Sequence, residues 1–123
     1  MASILVADDD KFIRDYLRNV LIEEEYNVQT VESGSAAIKK ILKQNFDVLI
    51  LDIHMSGING LETISFIKSV HPNLPIIVIT GDASMQTEKR AREEGVFCYF
   101  TKPLNIKGLK QVITSALKTR AEK

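Results

Sequence analysis

Three consecutive aspartates, Asp8, Asp9 and Asp10, end the apolar run "ILVA", and a fourth, Asp52, ends "DVLIL". Thr80 closes "IIVIT", and Lys102 follows "VFCYFT". An apolar segment that runs straight into carboxylates needs something for them to hold. Two carboxylates about 5 Å apart repel by roughly 3 kcal/mol at an effective dielectric of about 20. Asp8, Asp9 and Asp52 brought together therefore require a cation, and hard oxygen ligands with room for water suit Mg²⁺. An ammonium and a hydroxyl beside that cation match what phosphoryl oxygens need. A carboxylate can itself attack phosphorus and form an aspartyl-phosphate. Asp52 is the candidate nucleophile because it stands alone at its strand end. Asp8 and Asp9, being adjacent, suit metal ligation.

These residues can act together only if the elements between them deliver them to one place. Apolar runs alternate with longer amphipathic stretches. The spacing predicts strands over Ser3–Ala7, Asn27–Glu32, Asp47–Leu51, Ile76–Thr80 and Val96–Thr101. It predicts helices over Asp10–Glu24, Ser33–Asn45, Leu61–Val70, Ala83–Glu94 and Asn105–Lys118. Asp10 and Asn105 are candidate N-caps, and Gly95 is a candidate C-cap. Strands that are apolar on both faces and separated by helices indicate a parallel, doubly wound α/β sheet. In such sheets ligands bind at the carboxyl ends of the strands, near the topological switch. Asp8–Asp10, Asp52, Thr80 and Lys102 all fall at such ends. The second strand ends in Glu32, which this reading leaves outside the site.

Bulk properties narrow the function. The chain has 123 residues, which suits one domain with a single core. Sixteen basic and 16 acidic residues give zero formal net charge, so no overall field favours nucleic acid or an anionic membrane. Cys98 is the only cysteine, which excludes an intrachain disulfide and fits a reducing compartment. No apolar run is long enough to span a membrane. A cytoplasmic protein without membrane insertion or direct nucleic-acid binding is expected.

Together, "VADDDKFIR", "LILDIHMSGINGLE", "IIVITGD" and "CYFTKPLN" resemble the response-regulator receiver domain of two-component signalling, over essentially the whole chain. The resemblance implies a flavodoxin-like (βα)5 fold with strand order 2-1-3-4-5, as a single domain over residues 1–123. It implies Mg²⁺ on Asp8 and Asp9, with Asp52 and the backbone carbonyl of His54 completing the protein ligands. It implies phosphorylation of Asp52 by a histidine kinase or histidine phosphotransfer protein, with Thr80 and Lys102 contacting the phosphoryl group. Phosphorylation would draw the Thr80 hydroxyl inward and let Tyr99 occupy the space it leaves. The bond before Pro103 is expected to be cis. One departure is Ser56, where the family often has proline; His54 and Asp82 flank the site at positions where the family varies. A stand-alone receiver would act on a downstream protein, as a monomer or as a phosphorylation-dependent dimer. It would be no enzyme beyond its own phosphorylation and dephosphorylation.

Each residue also has an ordinary reading. An acidic cluster is usually solvated, Tyr99 could be packing, Cys98 a small core residue, and Gly57 and Gly60 turn glycines. Phe12, Ile13 and Tyr16 join Leu17, Val20 and Leu21 in a stripe wider than one core face requires. A well-buried helix would explain it; so would a docking surface for a kinase or helix bundle, formed by Phe12, Ile13, Tyr16 and Leu104. Three other functions compete. A haloacid-dehalogenase-type phosphatase could read Asp-x-Asp in "DDDKF", but no further acidic pair follows Lys102. A flavodoxin-like cofactor binder would need a phosphate loop where three carboxylates stand. A receiver-like module that binds partners without phosphorylation need not keep the acids.

Overall fold

Five short segments rich in β-branched residues form strands: β1 (Ser3–Ala7), β2 (Asn27–Val31), β3 (Val48–Asp52), β4 (Ile76–Thr80) and β5 (Cys98–Thr101). The helices between and after them are α1 (Lys11–Glu23), α2 (Gly34–Lys43), α3 (Gly60–Val70), α4 (Met85–Glu93) and α5 (Ile106–Ala121). The computed structural model describes residues 1–54, 59–81 and 84–121, with residues 120 and 121 described by backbone alone. Ser56, Gly57 and Asp82, which the sequence reading weighed, lie outside the described residues. Among the described residues no helix is long and apolar enough to cross a membrane.

All strand pairs are parallel, and the sheet order is β2-β1-β3-β4-β5, as expected. Strand side chains alternate between faces, and here both faces are covered. Leu5, Leu49, Leu51, Ile76 and Val78 point to one side, against Ala37 and Ile41 of α2, Leu61, Ile64 and Ile67 of α3, and Ala91 of α4. Ile4, Val6, Val48, Ile50, Ile77 and Ile79 point to the other, against Leu17 and Leu21 of α1 and Leu109, Ile113 and Ala116 of α5. Each fully buried Leu or Ile contributes about 1.5–3 kcal/mol, so the central strands anchor the fold. Every residue of β3 and β4 is buried.

Local chemistry sets the element ends. Asp10 caps α1, its carboxylate accepting from the Phe12 N–H at 2.9 Å. Ser84 caps α4, so that helix starts at Met85; Ala83, the start expected from the sequence, lies outside the described residues. Asn105 caps α5 through the Gly108 N–H at 3.0 Å. Glu94 is the C-cap of α4, and Gly95 follows with φ of 90°, a left-handed conformation that glycine adopts without strain. The fifth strand is shorter than expected because the Val96 N–H turns back to the Ala91 carbonyl at the helix end. Asp52, expected just beyond the third strand, is its last residue and pairs in register with Ile79.

Gly60 opens α3 where a Cβ would lie 2.5 Å from the Ile53 main chain. Only a residue without a side chain lets α3 sit this close to the segment that follows Asp52.

Candidate functional site

The register brings the acids together. Ala7 pairs with Leu51, so Asp8 and Asp52 are one position further along adjacent strands. The chain leaves β1 for β2 on one side and returns with β3 on the other, so this is the topological switch of the sheet. One oxygen from each of Asp8, Asp9 and Asp52 lies within 4.8 Å of the others. Asp8 is fully buried, Asp52 is 3% exposed, and Asp9 faces solvent.

Lys102 is delivered from the end of β5. Its backbone N–H bonds the Thr80 carbonyl at 2.7 Å, and the peptide bond to Pro103 is cis. Its Nζ lies 3.1 Å from Asp8 Oδ2 and 3.1 Å from Asp52 Oδ2. The other oxygen of each carboxylate turns back on its own chain. Asp8 Oδ1 accepts from the Asp10 N–H, and Asp52 Oδ1 accepts from the His54 N–H, both at 2.9 Å. The two acids are thus held in matching local turns under one shared ammonium.

Burial pushes the Asp8 carboxyl above its ordinary value, more than the Asp10 N–H and Lys102 pull it down; the charge on Asp52 pushes it further up. Burial also pulls the Lys102 ammonium down. Its hydrogen bonds to Asp52 and Asp8 outweigh that and leave it above the ordinary lysine value. One cation serves two anions, so the lysine is well satisfied while the buried Asp8 charge is not.

Three carboxylates against one ammonium leave two uncompensated negative charges. The donors are all hard oxygens, and an octahedral Mg²⁺ spaces adjacent ligand oxygens by about 3 Å and opposite ones by about 4 Å. The charge, donor type and spacing of this cluster fit a divalent cation. The His54 side chain is exposed.

Thr80 is fully buried at the end of β4, and Tyr99, on the adjacent strand, is 9% exposed and packed in the core. The tyrosine ring is therefore already inside in this conformation. Cys98 is half-buried at the sheet edge rather than in the core. The α1 stripe divides: Leu17 and Leu21 are core, and Ile13 packs against them with Leu104. Phe12 and Tyr16 are 74% and 42% exposed, with rings stacked at 6.4 Å. A buried helix does not explain those two aromatics.

Sequence reasoning missed Arg14 and set Glu32 aside. The Arg14 guanidinium donates to the Asp8 carbonyl at 2.8 Å and lies 4.0 Å from the Glu32 carboxylate. The end of β2 is thus joined to the acid pocket. One signal was available: helical side chains lean toward the N-terminus, so a long side chain one turn past Asp10 reaches back over the strand end.

A family model described as "Response regulator receiver domain" matches residues 4–114. Among curated proteins, transcriptional regulatory protein GlrR of Escherichia coli is 32% identical over 120 residues, covering 98% of this chain and 27% of GlrR. DNA-binding transcriptional regulator NtrC of Azospirillum brasilense is 37% identical over 116 residues, 94% of this chain and 24% of NtrC. The chain spans about a quarter of the length of these relatives. A CheY-like response regulator receiver domain protein from Methanospirillum hungatei superposes with a TM-score of 0.96 at 26% identity, covering 99% of this chain and 98% of that one. Response regulator TrrA from Thermotoga maritima, solved in complex with Mg²⁺–BeF, superposes with a TM-score of 0.87 at 35% identity, covering 95% of this chain and all of TrrA.

Proposed function

The chain belongs to the response regulator receiver family of two-component signalling, and from that premise we propose that Asp52 is its phosphoacceptor and that Asp8, Asp9, Asp52 and the His54 carbonyl hold Mg²⁺. The observation that carries this reading is the shared ammonium. Lys102 lies 3.1 Å from both Asp8 and Asp52, inside a cluster that keeps two surplus negative charges.

An Asp52 carboxylate oxygen attacks the phosphorus of a phosphohistidine or of a small phosphodonor. The new O–P bond forms as the bond from phosphorus to the donor nitrogen or oxygen breaks, and the leaving group keeps that electron pair. Bound Mg²⁺ would offset the charge on the phosphoryl oxygens. Lys102 turns its ammonium from the carboxylate to a phosphoryl oxygen, and the Thr80 hydroxyl donates to another. That demand on Thr80 is coupled to Tyr99 through neighbouring strands, where Val78 pairs with Tyr99 and Thr80 with Thr101. The surface change is a population shift between two packings of the face formed by α4, β5 and α5. The domain performs no chemistry beyond gaining and losing its own phosphoryl group.

Intact mass after incubation with acetyl phosphate and Mg²⁺ tests the reading. One added phosphoryl group is expected, and it should be absent with Asp52→Asn or with a chelator. Uptake that survives Asp52→Asn would move the acceptor elsewhere. Uptake by no form of the folded protein, together with no beryllofluoride binding, would leave a phosphorylation-independent binder.

The exposed Phe12–Tyr16 pair, together with the partly buried Ile13 and Leu104, is the proposed docking face for the kinase or phosphotransfer partner. Exposed aromatics at a protein surface are typical contact anchors. Tyr16→Ala should slow transfer from the cognate kinase at least about tenfold while leaving acetyl phosphate labelling unchanged. Equal loss with both donors would refute the docking role. Output is proposed to pass by protein contact, with dimerisation under phosphorylation as one route.

A further inference from the structure

The acid pocket is braced from a side that the phosphoryl chemistry does not use. Arg14 donates to the Asp8 carbonyl at 2.8 Å, with its side chain only 15% exposed. Glu32, its acidic neighbour at 4.0 Å, is 78% exposed. An exposed carboxylate at that distance contributes little, so the buried carbonyl is the principal partner. That carbonyl belongs to the peptide joining Asp8 to Asp9. A peptide unit is planar, so fixing its oxygen fixes the direction in which the chain enters Asp9.

The two acids need different amounts of help. Asp8 is held at its N–H by the Val31 carbonyl, at Oδ1 by the Asp10 N–H and at Oδ2 by Lys102. Asp9 is exposed, and among the described residues its carboxylate has no hydrogen-bond partner. Its aim is set by its main chain.

We propose that Arg14 is a positioning residue for the divalent cation. By clamping the Asp8–Asp9 peptide it keeps the Asp9 carboxylate within reach of Asp8 and Asp52. The proposal rests on the receiver reading of the acid pocket. It makes Arg14 act through the main chain, with no contact to the reacting atoms.

Titration with Mg²⁺ tests it, following backbone amide shifts and the thermal midpoint in the parent, Arg14→Lys and Arg14→Met. Outer partners of metal ligands typically change affinity by about 10–100-fold, so Arg14→Met should bind Mg²⁺ about tenfold more weakly. Arg14→Lys keeps the charge but loses the planar fork, and its affinity should fall between the two. At saturating Mg²⁺ the rate of labelling by acetyl phosphate should return to within about twofold of the parent, because no interaction made only in the transition state has been removed. A lower melting temperature with unchanged Mg²⁺ affinity would make Arg14 a fold-stabilising residue and overturn the proposal. Should Arg14→Met not fold, unchanged affinity in Arg14→Lys overturns it equally. The parent titration separates the two levels: a parent that takes up no Mg²⁺ overturns the metal reading of the pocket along with this one.

Discussion

Lys102→Met is expected to lower the stability of the metal-free protein by about 2 kcal/mol at neutral pH, measured by urea unfolding. The ammonium is the shared partner of Asp8 and Asp52 at 3.1 Å from each. Its removal leaves two buried carboxylates facing each other. Breaking a fully buried pair costs about 3–5 kcal/mol, and the estimate is reduced because Lys102 keeps 24% of its side chain exposed. Mg²⁺ should restore most of the loss, since it supplies the missing positive charge. Phosphoryl uptake should not recover with it. Loss of one preorganised donor to a developing charge typically costs about 100–1,000-fold in rate, and that loss should persist at saturating Mg²⁺. A variant as stable as the parent without metal would mean that the carboxylates do not depend on the lysine.

Asp8→Asn should have the opposite effect on the metal-free fold. Burial raises the Asp8 carboxyl above 3.8 in the native state. A raised carboxyl contributes stability that is fully present below its unfolded value and is lost as pH rises through its native value. This contribution should therefore fall as pH rises above 3.8, so the stability of Asp8→Asn relative to the parent should rise over that range. At neutral pH the variant should melt above the parent. Lys102, raised above 10.5, contributes stability that is present below that value and lost only as pH rises through the higher native one. It adds no slope between about pH 5 and 9, so the acidic difference reports Asp8. Saturating Mg²⁺ should reverse the ranking. A ligand at about 100 times its Kd stabilises the native state by about 2.7 kcal/mol, and Asp8→Asn should gain much less of this. A variant no more stable than the parent without metal would show that Lys102 compensates Asp8 in full.

Both expectations turn on residues whose positions could be read from the chain. Parallel strands share one direction, so whatever follows each strand arrives at the same edge. That alone gathers Asp8, Asp9, Asp52, Thr80 and Lys102 before any distance is known. The strands could be recognised because "DVLIL" and "IIVIT" are apolar without alternation, the pattern of a sheet covered on both faces. The helix starts followed from capping chemistry at Asp10 and Asn105.

Other features depended on what lies across space. The stripe from Phe12 to Leu21 has one helical period, but only the position of the sheet separates core Leu17 and Leu21 from exposed Phe12 and Tyr16. Gly60 has an unremarkable place in the sequence; the Ile53 main chain 2.5 Å from its missing Cβ gives it a role. Tyr99 lies on an edge strand, and packing against the core decides that its ring is inside.

The sequence by itself determined the sheet, the edge at which chemistry could occur and the residue types gathered there, because periodicity and strand direction are local properties. Only the tertiary structure decided how charge is shared within that edge. A single Lys102 ammonium spans Asp8 and Asp52, and Arg14 reaches from α1 to the Asp8 carbonyl with Glu32 of the β2 end beside it. These contacts join residues on different elements, and their strength depends on burial and ångström-scale distance, which only the packed chain fixes.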